Sequence, residues 1–186
     1  MTDSAFALFD TAVGTCAIAW GAHGILGVQL PEADEARTRS RMRRRFPDAA
    51  EAAPPPEVTR ITDAIVALLA GEAVDFSAVS LDMAGVPEFH RRVYEVARTI
   101  GCGATLTYGE IAKRLGVPAE AREVGEALGR NPFPIIVPCH RVLAAGGKLG
   151  GFSAPGGIRT KRRLLAIEGA RGTEGPDLFD RAARTG

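Results

Sequence analysis

Residues 107–143 read TYGEIAKRLGVPAEAREVGEALGRNPFPIIVPCHRVL, and their punctuation decides what kind of fold surrounds them. Thr107 stands three residues before Glu110. That is the spacing of a capping box, in which hydroxyl and carboxylate each take a backbone N–H left orphaned at a helix start. The first helix is then stopped by Gly116 and Pro118. A second, AEAREVGEALG, runs to Gly129 and is halted by Asn131-Pro132. Two short helices across a Gly-Val-Pro turn predict a helix-turn-helix, or an αα-corner that only packs. An apolar run at 135–137 then delivers Pro138, Cys139, His140 and Arg141 to the end of a buried segment, and a glycine-rich loop follows.

Upstream, Pro87 opens PEFHRRVYEVARTI, where Phe89, Val93, Val96 and Ile100 fall at core spacing. The first half has a different character. FALFDTAVGTCAIAWGAHGILGVQL has short apolar runs broken by glycines, which predicts two or three hairpin-linked strands. Residues 32–46 form an arginine-rich helix whose cations spread around it, a solvated helix and not a stripe for nucleic acid. EAAPPPE reads as a stiff linker. Ile61, Ile65, Leu68 and Leu69 mark an amphipathic helix, and residues 74–83 (VDFSAVSLDM) alternate like one more strand. The expected organisation is α+β: a small N-terminal α/β domain over 1–83, a mostly helical domain over 84–170, and a flexible tail over 171–186.

Composition sets the outer limits. The chain has 186 residues, 46% apolar, enough for a core, and no uninterrupted apolar run approaches the ~20 residues that span a bilayer. No membrane partner is expected. The N-terminal MTDSAFALFD lacks the basic-then-apolar pattern of a signal peptide. Three cysteines, Cys16, Cys102 and Cys139, are too few and too scattered for a disulfide framework, which suggests a reducing cytoplasmic setting. Residues 1–83 carry 7 Lys/Arg against 12 Asp/Glu, whereas 84–170 carry 13 against 7. That asymmetry suits a second half that meets a polyanion, although compositional scatter produces the same pattern.

A lone cysteine is often an inert core residue. Cys139 has an imidazole and a guanidinium as its next neighbours, and such surroundings favour the nucleophilic thiolate, so residue types alone leave both readings open.

PCHRV, with AREVGEALGRNPFPIIV before it and GFSAPGGIRTKRRLLAIEGA after it, resembles the O6-alkylguanine-DNA alkyltransferases. The resemblance covers residues 84–170 strongly and the first 83 more loosely. It implies a ribonuclease-H-like N-terminal domain and a winged-helix-like second domain. It also implies direct-reversal repair of O6-alkylguanine in double-stranded DNA, with one protein molecule consumed per lesion, and leaves open whether O4-alkylthymine is accepted. Cys139 matches the alkyl acceptor and His140 the base that removes its proton through a water. Glu168 matches the carboxylate orienting that histidine, and Asn131 the brace of the active-site turn. Tyr108 matches the phenol that donates to the flipped base, and Arg122 the arginine that fills the vacated stack. Thr107, Ala121, Gly125 and Arg141 are expected at the DNA. Pro134 and residues 142–153, with Val142, Phe152 and Ser153, are expected to line the alkyl pocket.

No cofactor is expected, and the chain is expected to be a monomer. GGKLGG lacks the strand-to-helix context of a nucleotide loop. Cys16 and His23 do not fall in a metal-ligand spacing, so no metal is expected and Cys16 reads as a strand core residue. The FSAPGG loop is two residues longer than the family's usual form, and Phe152 stands where tyrosine is common. Two other readings are a non-catalytic alkylguanine sensor, against which the intact PCHRV argues, and a DNA-binding regulator.

Overall fold

The computed structural model describes residues 4–170; the tail expected over 171–186 lies outside them. Three strands form an antiparallel meander: β1 (Ala5–Thr11), β2 (Gly14–Gly21) and β3 (Gly24–Gln29). Helix α1 (Glu35–Arg45) is capped by Asp34, whose carboxylate accepts from the Arg37 N–H at 2.8 Å. It is less solvated than its composition predicts, because Thr38 and Met42 are wholly buried under the sheet. The chain then forms β4 (Ala50–Glu51), which pairs parallel to β1 and gives the sheet order β3-β2-β1-β4. Part of the expected proline linker is thus a sheet edge.

Helix α2 (Pro56–Leu69) buries Val58, Ile65, Leu68 and Leu69. Residues 74–83 do not form the expected strand. Only Leu81 bridges to Ile25, while Arg98 takes the carbonyls of Phe76, Ser77 and Val79. A guanidinium satisfies this segment where a neighbouring strand was expected.

Helix α3 (Glu88–Arg98) buries Val93, Tyr94 and Ala97, and the Tyr94 hydroxyl donates to the Ala127 carbonyl at 2.8 Å. Strand β5 (Leu106–Thr107) leads into α4 (Tyr108–Arg114), which has the complete capping box. After Gly116, at φ 77°, comes α5 (Ala121–Gly129). Strand β6 (Val142–Leu143) pairs parallel with β5, and α6 (Ile158–Ile167) closes the described chain.

One apolar cluster runs through both halves, from Cys16 and Ile18 to Val142 and Leu164. Polar links accompany it. The Val28 N–H and the Arg45 guanidinium both donate to the Pro132 carbonyl, at 2.9 and 3.2 Å. Gly27 permits this approach, since a Cβ there would stand 2.7 Å from the Phe46 ring and 3.2 Å from the Pro132 carbonyl oxygen. The sheet is thereby clamped to the turn that carries Cys139. No helix among the described residues is long and apolar enough to cross a membrane.

Candidate functional site

Asn131 holds the turn before Cys139 at two points. Its Nδ2 donates to the Val137 carbonyl and its Oδ1 accepts from the Phe133 N–H, both at 2.9 Å. These bonds fold residues 131–137 tightly enough to force Ile135 to φ 75°, a region that a β-branched residue rarely enters. The strain, about 1–3 kcal/mol, is offset by burial of Phe133, Ile135, Ile136 and Val137. Cys139–Arg141 then form a single 3-10 turn, all three buried. The β5–β6 register places Leu106 beside Val142 and so brings Tyr108, first residue of α4, near this turn.

Behind the thiol lies a chain of buried polar and charged groups. His140 Nε2 is 2.7 Å from Glu168 Oε1, and each side chain is only 1% exposed. Arg141 grips the same carboxylate with Nε and Nη2, both at 2.8 Å, and donates through Nη1 to the Ile100 carbonyl. The Gly103 N–H points to Glu168 Oε2 at 3.4 Å. Burial alone would raise the carboxyl pKa, but the hydrogen bonds from His140 and Arg141, with the charge of Arg141, bring it down to about 2. Burial dominates at His140 and lowers its pKa, so the imidazole is neutral. An ionised carboxylate can only accept, so the ring proton sits on Nε2. Nδ1 is left with a free lone pair, buried and without a hydrogen-bond partner.

Burial also raises the Cys139 pKa, so the resting group is the thiol. The sequence suggested that its two neighbours would favour the thiolate. They do not, because His140 is neutral and Arg141 is spent on Glu168. The opposing influences are instead the Asn131 side chain, the charge of Lys161 and the local backbone. Lys161 was not anticipated. It is wholly buried, donates from Nζ to the Val142 and Gly151 carbonyls at 2.6 and 3.2 Å, and lies 5.8 Å from the Tyr108 ring centre. Burial lowers its pKa to about 8. A signal existed: Lys161 shares its helical face with the buried Leu164 and Leu165 and with Glu168, at offsets 3, 4 and 7.

Two cavities meet at Cys139, sharing Gly129, Phe152 and Ser153. One, of about 520 Å³, lies against α5 and is lined by Tyr108, Ala121, Arg122, Gly125 and Leu128. Gly150 keeps the Tyr108 hydroxyl in place, since a Cβ there would stand 3.0 Å from it. The second, also about 520 Å³, includes Pro134 and reaches the first half of the chain at Val28, Arg41 and Arg45.

Most of the expected site residues therefore converge on one place, and two do not take the positions expected of them. Arg141 was expected at the DNA, but its guanidinium is buried and must be paired, and Glu168 pairs it. Val142 was expected to line the alkyl pocket, but it is fully buried in β6 and touches neither cavity. The Thr107 hydroxyl is engaged with Glu110 in the capping box. Arg122 projects from α5 with its side chain 88% exposed, loosely paired with Glu126 at 3.4 Å. Cys16 is a fully buried strand residue, and burial pushes its thiol pKa up to about 12.

A thiol beside a neutral imidazole that is backed by a carboxylate is the apparatus of a protein that uses cysteine as a nucleophile. Residues 88–170 match the family model described as 6-O-methylguanine DNA methyltransferase, DNA binding domain. The methylated-DNA–protein-cysteine methyltransferase of Methanothermobacter thermautotrophicus is 37% identical over 152 residues, 82% of this chain and 78% of that protein. That of Mycobacterium tuberculosis is 48% identical over 118 residues, 63% of this chain and 69% of that one. The crystal structure of the Mycobacterium tuberculosis protein in complex with DNA superposes with a TM-score of 0.69 at 34% identity, covering 90% of this chain and 96% of that one. The chain belongs to the methylated-DNA–protein-cysteine methyltransferase family.

Proposed function

We propose that the protein repairs O6-alkylguanine in double-stranded DNA by direct reversal, with Cys139 as the acceptor of the alkyl group. The observation that carries this reading is a buried thiol at the meeting point of two cavities, followed in sequence by a buried imidazole that is held by a carboxylate and keeps one nitrogen free as a base. A guanine stacked in a duplex cannot present its O6 substituent to a buried atom, so the nucleotide is extruded. The cavity against α5 receives the base, Tyr108 donates to it as negative charge develops on the leaving guanine, and the substituent points to the second cavity.

His140 Nδ1 takes the thiol proton through one water, and Lys161 favours the thiolate so formed. Sulfur attacks the alkyl carbon, the carbon–oxygen bond breaks, and a thioether remains on Cys139. A thioether offers no easy hydrolysis, so each molecule acts once. Arg122, exposed on α5, fills the gap left in the stack, while Ala121 and Gly125 let the helix approach the duplex and Thr107 lies near its backbone. Minor-groove binding suits this task because that groove carries little sequence information.

The first 83 residues, a ribonuclease-H-like domain, act as the scaffold for a winged-helix-like reacting domain over 84–170. The protein works as a monomer in the cytoplasm and needs no cofactor.

Intact-protein mass after mixing with a duplex containing one O6-methylguanine tests the reading. The expected result is one added methylene per protein, on the peptide that contains Cys139. Cys139→Ser should gain no mass and still bind the duplex. Tight binding by the natural protein without any mass gain would replace repair by damage sensing.

A further inference from the structure

The second cavity is far larger than a methyl group requires. It holds about 520 Å³, whereas even a whole water molecule has a share of only about 30 Å³ in the liquid. Its charged lining is also one-sided: Arg41, Arg45 and Arg130 against the single carboxylate of Glu32. Among the described residues none of these three arginines is in a salt bridge, although Arg37, Arg39 and Arg43 of the same helix α1 are. Arg45 is the most constrained. Nη1 donates to the Val28 carbonyl at 2.9 Å and to Gln29 Oε1 at 3.0 Å, and Nη2 to the Pro132 carbonyl. All three acceptors are neutral. Burial and the neighbouring charge of Arg41 both lower the Arg45 pKa, so this guanidinium lacks a compensating anion.

We propose that this cavity is a subsite for long O6 substituents that end in an anion, and that Arg41, Arg45 and Arg130 determine that specificity. The inference rests on the alkyl-transfer reading above. The cavity walls include both Cys139 and the three cations, so a substituent attached at the reacting carbon can extend from the sulfur toward the positive wall. The chemistry at the reacting carbon is unchanged. The S–C bond forms as the C–O6 bond breaks, guanine departs with the electron pair and takes up a proton, and the thiol proton passes to His140. The terminal carboxylate is a spectator whose charge is met by the arginines.

The test compares two guanines whose O6 benzyl groups carry a carboxymethyl or a carbamoylmethyl arm in the para position, so that charge differs while size and benzylic reactivity match. Transfer is followed by intact mass, both with the free bases and with the same groups in a duplex, and O6-methylguanine duplex serves as reference. The carboxylate should react roughly fivefold faster than the amide at low ionic strength, and the ratio should shrink as salt rises. Arg41→Gln and Arg130→Gln should each lower the ratio, judged within each protein. A ratio at or below one, or one that survives both substitutions, overturns the proposal. So does a preference seen on the free base but erased in the duplex, since a DNA phosphate would then hold the arginines. Failure of the methyl reference itself would reject the alkyl-transfer reading instead.

Discussion

The two sides of Cys139 are built on opposite principles. Behind it, His140, Arg141 and Glu168 are almost fully excluded from solvent and fixed by bonds of 2.7–2.8 Å. In front of it, Arg122 is 88% exposed and held only by a 3.4 Å contact within its own helix. A group that must be in the right protonation state gains from burial, which sets its pKa and its tautomer. A group that must insert into a partner gains from staying loose until the partner arrives. Removing a member of the rear chain should therefore damage chemistry on every substrate. Removing the forward arginine should damage only reactions that need a duplex.

The largest effect is expected from Glu168→Gln. The amide no longer fixes the Nε2 proton or compensates Arg141, and transfer should slow about a hundredfold or more on duplex and free base alike. Leaving the Arg141 charge buried without its partner costs about 3–5 kcal/mol of stability, so duplex binding is measured alongside to show that the variant is folded. The pH dependence of stability supplies an independent check. The Glu168 pKa lies below its ordinary value of 4.5, at about 2 when folded. Its stabilisation is complete above pH 4.5 and is lost as pH falls toward 2. Denaturant titrations should show that loss in the natural protein and a flatter profile in the variant. If the profiles coincide, the carboxylate does not hold the charge assigned to it.

Lys161→Met comes next. Lys161 is the cation that opposes the desolvation of Cys139, so its loss should raise the thiol pKa further and slow transfer at pH 7 by about tenfold, equivalent to one pKa unit. In the natural protein, rising pH ionises the thiol but removes the Lys161 charge above about 8. The rate should pass through a maximum near that pH. In the methionine variant it should rise without turning over, and a maximum retained there would assign the turnover to another group.

What the sequence made legible follows the same front-and-rear division. The capping box of Thr107 and Glu110, the stop at Gly116 and the Asn131-Pro132 break are local rules, and the structure obeys them because their partners lie within six residues. His140 and Glu168, 28 residues apart, were matched through family resemblance. Arg141 was placed on the wrong side. Whether a guanidinium in a one-turn helix faces out or in depends on a carboxylate 27 positions away, and no local pattern encodes that. Residues 74–83 alternate like a strand, and Phe76 is indeed buried. Apolar alternation specifies a buried face, but not who takes the carbonyls, and here Arg98 takes three of them. Lys161 was overlooked because it stands in the run KRR, which reads as surface charge until the helical face is drawn through Leu164 and Leu165.

The smallest effect should come from the front. Arg122→Ala removes a side chain that makes one weak ion pair, and exposed pairs of this kind contribute at most about 1 kcal/mol, so the melting temperature should hardly move. A free base needs no stack to be filled, and O6-benzylguanine should react at the natural rate. On a duplex, the extruded state loses the group that occupies the gap, and repair should slow several-fold while methyl and benzyl adducts are affected alike. Added salt should weaken duplex repair by both proteins through lost phosphate contacts, with a slope shallower by about one for the variant if Arg122 also neutralises a phosphate. A free-base defect as large as the duplex defect would place Arg122 in the chemistry. The contrast between a rigid rear and a loose front would then fail at its most exposed residue, where the structure makes it most explicit.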